Sequence, residues 1–95
     1  MDNRLYSDQF SKVLDRLIKK GGISCYSIST YTGIDQGYLS RLRHGKKQSP
    51  TPAMLVKISI ALAHLSQLIT IDDIETLFNA TGRTISPRYW NDHGV

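Results

Sequence analysis

Five cations and no acid stand between Asp35 and Asp72: Arg41, Arg43, Lys46, Lys47 and Lys57. Asp72, Asp73 and Glu75 then follow within four positions. A basic band beside an acidic one suits a surface that meets a polyanion and another turned away from it, although a run of charge can equally be a solvated face. At the start of the band, Gln36 and Arg41 carry planar polar heads. Glutamine can bond an adenine edge in bidentate fashion and arginine a guanine edge, each worth about 1–3 kcal/mol of discrimination. Ordinary solvent-exposed polarity is the alternative for both residues. Other chemistry is poorly served. His44, His64 and His93 are far apart, and neither Cys-x-x-Cys nor His-x-x-x-His spacing occurs to hold zinc. Asp72, Asp73 and Glu75 could be offered as a metal site, but acids at a helix start simply suit its positive end. No glycine-rich phosphate loop is present. The expectation is no catalysis, no metal, no cofactor and no small-molecule substrate.

The chain of 95 residues is long enough for one modest core and too short for two. A hydrophobic fraction of 40% with 21% charged residues and a net charge of +4 fits a mildly basic globular domain. The single cysteine, Cys25, rules out an internal disulfide framework and fits a reducing compartment. No run approaches the roughly 18 consecutive apolar residues of a membrane span. The start, Met1-Asp2-Asn3-Arg4, lacks the basic and apolar regions of a secretory signal. These features predict a cytoplasmic protein without a membrane role.

The elements that must carry Gln36 and Arg41 read as helices throughout, so the fold class is all-α. Phe10, Val13, Leu14, Leu17 and Ile18 recur with the spacing of one buried helix face. Ser7 suits the N-cap of this first helix and Asp8 its first turn, with Gly21-Gly22 as the stop, giving a helix over 8–20. Ser24 caps a second helix over 25–32 that ends at Gly33, and Asp35 caps a third over 36–43 that closes at Gly45. Only Gly33, Ile34 and Asp35 separate these two, which forces a steep crossing of the helix-turn-helix kind. Gly33 is expected to take a positive φ and to leave room at the crossing. Ile28, Ile34, Leu39 and Leu42 are placed to lock the pair onto the first helix. Gln36, Gly37, Ser40, Arg41 and His44 then face outward, with Tyr38 near the edge.

Thr51 followed by Pro52 opens a fourth helix that runs to about Leu65. Its main apolar face is Met54, Leu55, Ile58, Ala61, Leu62 and Leu65. Val56, Ile60 and Ala63 form a second stripe at about 100° per residue, which predicts a second neighbour. Thr70 or Asp72 starts a fifth helix with Ile71, Ile74, Leu77 and Phe78 inward and Gly82 as its end. Residues 1–82 form the domain, and 83–95 are a polar, proline-broken tail, mobile or packed on a partner.

The segment from Ile23 to Gly45 resembles the helix-turn-helix of the Cro/C1 repressor (XRE-type) family. The matching features are the inward Ile28, the small Ser29, the turn Thr32-Gly33-Ile34, then Tyr38-Leu39-Ser40-Arg41-Leu42 and Gly45. The polar loop, the capped fourth helix and the shorter fifth extend the resemblance over about residues 8–82. It implies a five-helix, lambda-repressor-like domain that binds double-stranded DNA in a sequence-specific way as a transcriptional regulator, most simply a repressor. It further implies that Gln36, Gly37 and Arg41 stand at base-reading positions. Gly37, having no side chain, can offer only close approach or contact with a thymine methyl. Ser40, Tyr38, Arg43, His44, Lys46 and Lys47 stand at or beside phosphate-contacting positions, with partial core packing an equal alternative for Tyr38. The Ser24–Cys25 end of the second helix would present N–H groups to another phosphate.

Two departures qualify the match. Relatives often carry glutamine at Cys25, and a thiol replaces that hydrogen bond poorly; a redox role and a small residue in a tight spot are the readings of the cysteine. Relatives also often pair a glutamate at the position of Arg43 with an arginine near Ile18. Both partners are absent here, which leaves Arg43 as a surface charge or a phosphate contact. Such modules act as homodimers, and the candidate surface is the fifth helix with the loop Leu65–Ile71 and the Val56/Ile60/Ala63 stripe, or else those residues pack within one chain. The rival reading is an antitoxin or adaptor that binds a protein with the same fold. A small RNA-binding helical domain is a remote third, disfavoured by the lack of exposed aromatic platforms.

Overall fold

A computed structural model of the protein describes residues 3–45 and 50–82, with side chains from Gln9 onward. Lys46, Lys47 and the segment 83–95, with Tyr89 and Trp90, lie outside the described residues. Among the described residues there are five α-helices and no strand: α1 (Asn3–Gly21), α2 (Cys25–Thr32), α3 (Gln36–Arg43), α4 (Pro52–Leu65) and α5 (Ile71–Asn79). No described helix is long and apolar enough to cross a membrane.

The helix starts are fixed by side chains that accept the first free amides. Ser24 accepts from the Ser27 N–H, Asp35 from Tyr38, Thr51 from Met54 and Thr70 from Asp73, with Pro52 in the first turn of α4. Of the two predicted starts for α5, Thr70 is therefore the cap. The first helix departs from expectation. It begins at Asn3, so Ser7 lies inside it and not at its cap, and Asp8 belongs to its second turn. Arg4, Leu5 and Tyr6 include neither glycine nor proline, and nothing in the sequence stops the helix from continuing upstream.

Phe10, Leu14, Leu17 and Ile18 of α1 form the centre of the core with Ile28, Ile34, Leu39, Leu42, Leu55, Ile58, Leu62 and Leu77. α1 packs on α3, α4 and α5, while α2 packs on α3 and α4. Each fully buried Leu or Ile contributes about 1.5–3 kcal/mol of transfer free energy. That tertiary burial is what stabilises eight-residue helices such as α2 and α3, which are too short to persist alone.

The three-residue turn between α2 and α3 is tied from both sides. Gly33 has φ 79° and its N–H donates to the Ser29 carbonyl at 2.8 Å. Ser29 Oγ donates to the Ile34 carbonyl at 2.6 Å. Thr32 Oγ1 donates to the Ile28 carbonyl at 2.7 Å and accepts from the Ile34 N–H at 3.1 Å. A Cβ on Gly33 would meet nothing within 4 Å, so crowding does not select glycine here and the left-handed backbone alone does.

One apolar expectation at the surface is also revised. Ile71 is 85% exposed at the start of α5, where its side chain precedes the buried face of Ile74, Leu77 and Phe78. Val56, Ile60 and Ala63 are exposed, and no described element covers them. The main face of α4 buries as predicted and includes Ser59, whose Oγ is enclosed without a hydrogen-bond partner among the described residues. Ser59→Ala removes an unsatisfied hydroxyl and improves helix propensity, so it is expected to stabilise the protein by about 0.5–2 kcal/mol in urea denaturation. Leu39→Ala, by contrast, should cost about 2–5 kcal/mol. A destabilised Ser59→Ala protein would show that the hydroxyl is not an orphan.

Candidate nucleic-acid interface

α3 divides its eight residues cleanly. Leu39 and Leu42 are buried against α1, and Tyr38 is half-buried against the same core. Gln36, Gly37 and Arg41 are exposed, His44 is exposed just beyond the helix, and Ser40 is half-buried. The side chains of Gln36 and Arg41 engage no partner among the described residues. The predicted base-reading residues thus share one open side, uncovered by any described part of the chain. Gly37 lies beneath Arg41: a Cβ built on it would stand 3.8 Å from Arg41 Nη1 and 3.0 Å from Asp35 Oδ2. The contact with Arg41 would be an ordinary one, so what glycine spares is crowding of the Asp35 cap, at a cost in helix propensity of at most about 1 kcal/mol relative to alanine.

The two arginines of α3 have separate fates. Arg43 is turned inward, where its Nε donates to Asp15 Oδ1 on α1 at 2.6 Å. Lys19 contacts the other carboxylate oxygen at 2.9 Å. Hydrogen bonds from Arg43 and then Lys19 hold the Asp15 carboxyl below its ordinary value of 3.8. Asp15 in turn raises the already high value of Arg43, with a smaller contribution from Cys25. The α1–α3 ion pair expected to be missing is therefore present with its signs exchanged and its helix-1 member one turn earlier. Arg43 is thereby a bridge between helices and not a loose surface cation. The sequence held a usable signal in Asp15, an acid three residues before Ile18 on the helix that packs against α3.

At the α2 end, Ser24 and Ser27 form a reciprocal capping box, with Ser24 N–H donating to Ser27 Oγ at 3.2 Å and Ser27 N–H to Ser24 Oγ at 3.0 Å. This consumes two amides and narrows the anion-facing donors at Ser24–Cys25 to the N–H groups of Cys25 and Tyr26. Cys25 is half-buried against the core, which suits the small-residue reading. Beyond α3, His44 Nδ1 lies 2.8 Å from the Ser40 carbonyl. A carbonyl only accepts, so Nδ1 carries the proton there and Nε2 is the remaining ring nitrogen. The Lys46 and Lys47 part of the expected phosphate grip lies outside the described residues.

Of the acidic cluster, Asp73 is structural. Its Oδ2 accepts from Lys20 Nζ of α1 at 2.5 Å and from the Thr70 N–H at 2.9 Å, and these bonds lower its carboxyl from 3.8. Among the described residues no three His, Cys, Asp or Glu side chains come together as metal ligands. A different surface is formed by α2 and α4, where Tyr26, Tyr31, Val56 and Ile60 are exposed and Tyr31 stacks on His64 with ring centroids 4.5 Å apart. Exposed aromatics are therefore present, contrary to the expectation from sequence.

No family model, characterised protein or solved structure matches this chain.

Both perturbed carboxylates have folded values below their ordinary ones. Their contribution is complete above about pH 4 and is lost as pH falls through the depressed values. Asp73→Asn should therefore weaken the protein at pH 7 and flatten the loss of stability below pH 4, followed by denaturant midpoints across that range. Arg43→Ala should cost about 1 kcal/mol at neutral pH, between an exposed pair and a charged hydrogen bond in the core.

Proposed function

We propose that this protein binds double-stranded DNA in a sequence-specific way and regulates transcription, most simply as a repressor, as a lambda-repressor-like helix-turn-helix domain of the Cro/C1 type. α2 and α3 are the two helices of the motif, and α3 enters the major groove. The observation that carries this reading is the exposed, unengaged pair Gln36 and Arg41 on a helix whose opposite side is locked into the core. Planar polar heads on a rigid helix are what direct readout of base edges requires. The tied turn and the Asp15–Arg43 bridge support it, because discrimination between bases needs a fixed helix orientation.

In this reading Gln36 and Arg41 read bases, and Gly37 lets the helix approach closely. Ser40, His44 and the N–H groups at Cys25 and Tyr26 grip phosphates together with Lys46 and Lys47. Tyr38 adds its edge, and Arg43 acts chiefly by holding α3 to α1. Two copies bind half-sites about one helical turn, roughly 34–36 Å, apart. The exposed Leu68 and Ile71 beside α5 are the apolar surface they would share.

A second reading, binding of a protein partner by an antitoxin or adaptor, is favoured by the exposed Tyr26, Tyr31, Val56 and Ile60. The two readings separate experimentally. Selection from a random duplex pool should recover one preferred site. Arg41→Ala should then lower affinity for that site about tenfold to a hundredfold while changing random-duplex affinity far less. Equal losses on both would remove Arg41 from base reading. Failure of the wild-type chain to enrich any sequence would leave the protein-binding reading in its place.

A further inference from the structure

Lys12, Asp15 and Lys19 recur along one side of α1, and that side faces the end of α3 across an open cleft of about 300 Å³. Ser11, Arg43 and His44 complete its lining. The lining thus holds three basic side chains and one carboxylate, an excess of two positive charges. Both oxygens of Asp15 are already engaged, one by Arg43 at 2.6 Å and the other by Lys19 at 2.9 Å. Lys12 is exposed and has no ion partner among the described residues. Arg43 meets Asp15 through Nε, and its guanidinium carries four further N–H donors on its terminal nitrogens, more than its contact with Cys25 uses. A concave site with surplus donors and surplus positive charge has the chemistry of a tetrahedral oxyanion site.

Its place in the fold narrows the anion. His44, on the lip of the cleft, follows Arg41 by three residues, an axial rise of about 4.5 Å. A duplex whose major groove receives the Gln36–Arg41 side of α3 carries a phosphate strand along each wall of a groove about 12 Å wide. With α3 so seated, one of those strands would run past the end of α3 that the cleft faces. We propose that this cleft binds a backbone phosphate of the DNA, with Lys12 and Lys19 as its cationic contacts and Arg43 fixing its floor. The inference rests on the DNA-binding reading and extends the contact from α3 and its loop onto α1.

The test compares the full-length wild-type chain with Lys12→Gln and with Lys12→Gln/Lys19→Gln. It uses the duplex selected from a random pool and a random duplex, over a range of salt concentrations. The double variant should weaken binding to both duplexes alike. Its log K against log[salt] slope should fall by about 1–2, and that of the Lys12→Gln variant by about 1, with thermal midpoints and sequence preference unchanged. A parallel titration with inorganic phosphate, read by thermal shift, distinguishes a free anion. Phosphate protection that depends on Lys12 and Lys19, with unchanged salt slopes, would assign the cleft to a small anion and overturn the proposal. Unchanged slopes without such protection would reduce the cluster to a staple between α1 and α3, which also overturns it. In either case a preference that still depends on Arg41 would leave the DNA-binding reading standing, whereas no duplex binding by the wild-type chain would remove both.

Discussion

An eight-residue helix has no means of holding its own orientation, so everything at the candidate interface depends on the burial of Leu39 and Leu42. Those two side chains, with Ile34 just before them, seat α3 on α1. Because successive residues are about 100° apart, fixing Leu39 and Leu42 inward also fixes Gln36, Gly37 and Arg41 outward. The same packing therefore serves stability and the presentation of polar side chains. The turn adds direction. Gly33 supplies the left-handed backbone, while the hydroxyls of Ser29 and Thr32 tie it to the carbonyls and amide around it.

Charge is distributed by the same geometry. Arg41 and Arg43 are two positions apart, roughly 200° around the helix, so they cannot share a task. Arg43 is drawn to Asp15 and shields the seam between α1 and α3, while Arg41 remains in solvent above a glycine. Asp15 also gathers Lys19, and one carboxylate thereby sets the character of a whole cleft. Asp73 does comparable work on another side of the core, where it closes the N-terminus of α5 and pairs with Lys20 of α1. Both acids lie in ion pairs that reach α1, and both are held ionised by the contacts they make.

The exposed apolar surplus of the described residues lies on elements other than α3. Among the described residues, Tyr26 and Tyr31 on α2, Val56 and Ile60 on α4, and Leu68 and Ile71 before and at the start of α5 are the large exposed apolar residues. The stacked Tyr31 and His64 rings bind α2 to α4 at the margin of this surface.

The sequence determined the helices, their caps at Ser24, Asp35, Thr51 and Thr70, the buried faces of α1 and α4, and the outward set on α3. These follow from local rules, since periodicity and capping act within a few residues of the chain. Asp15 was only a hint of the pair with Arg43, and the sequence could not reveal that the hydroxyls of Ser29 and Thr32 would tie the turn, or that Ile71 and the Val56 stripe would stay open. Ser7 misled because a good cap residue becomes a cap only where the upstream chain leaves the helix. Ion pairing between positions 28 residues apart, and coverage of an apolar stripe, depend on which surfaces are brought together. Only the packing of the five helices decides that, because neither charge nor hydropathy carries a distance until the chain has folded.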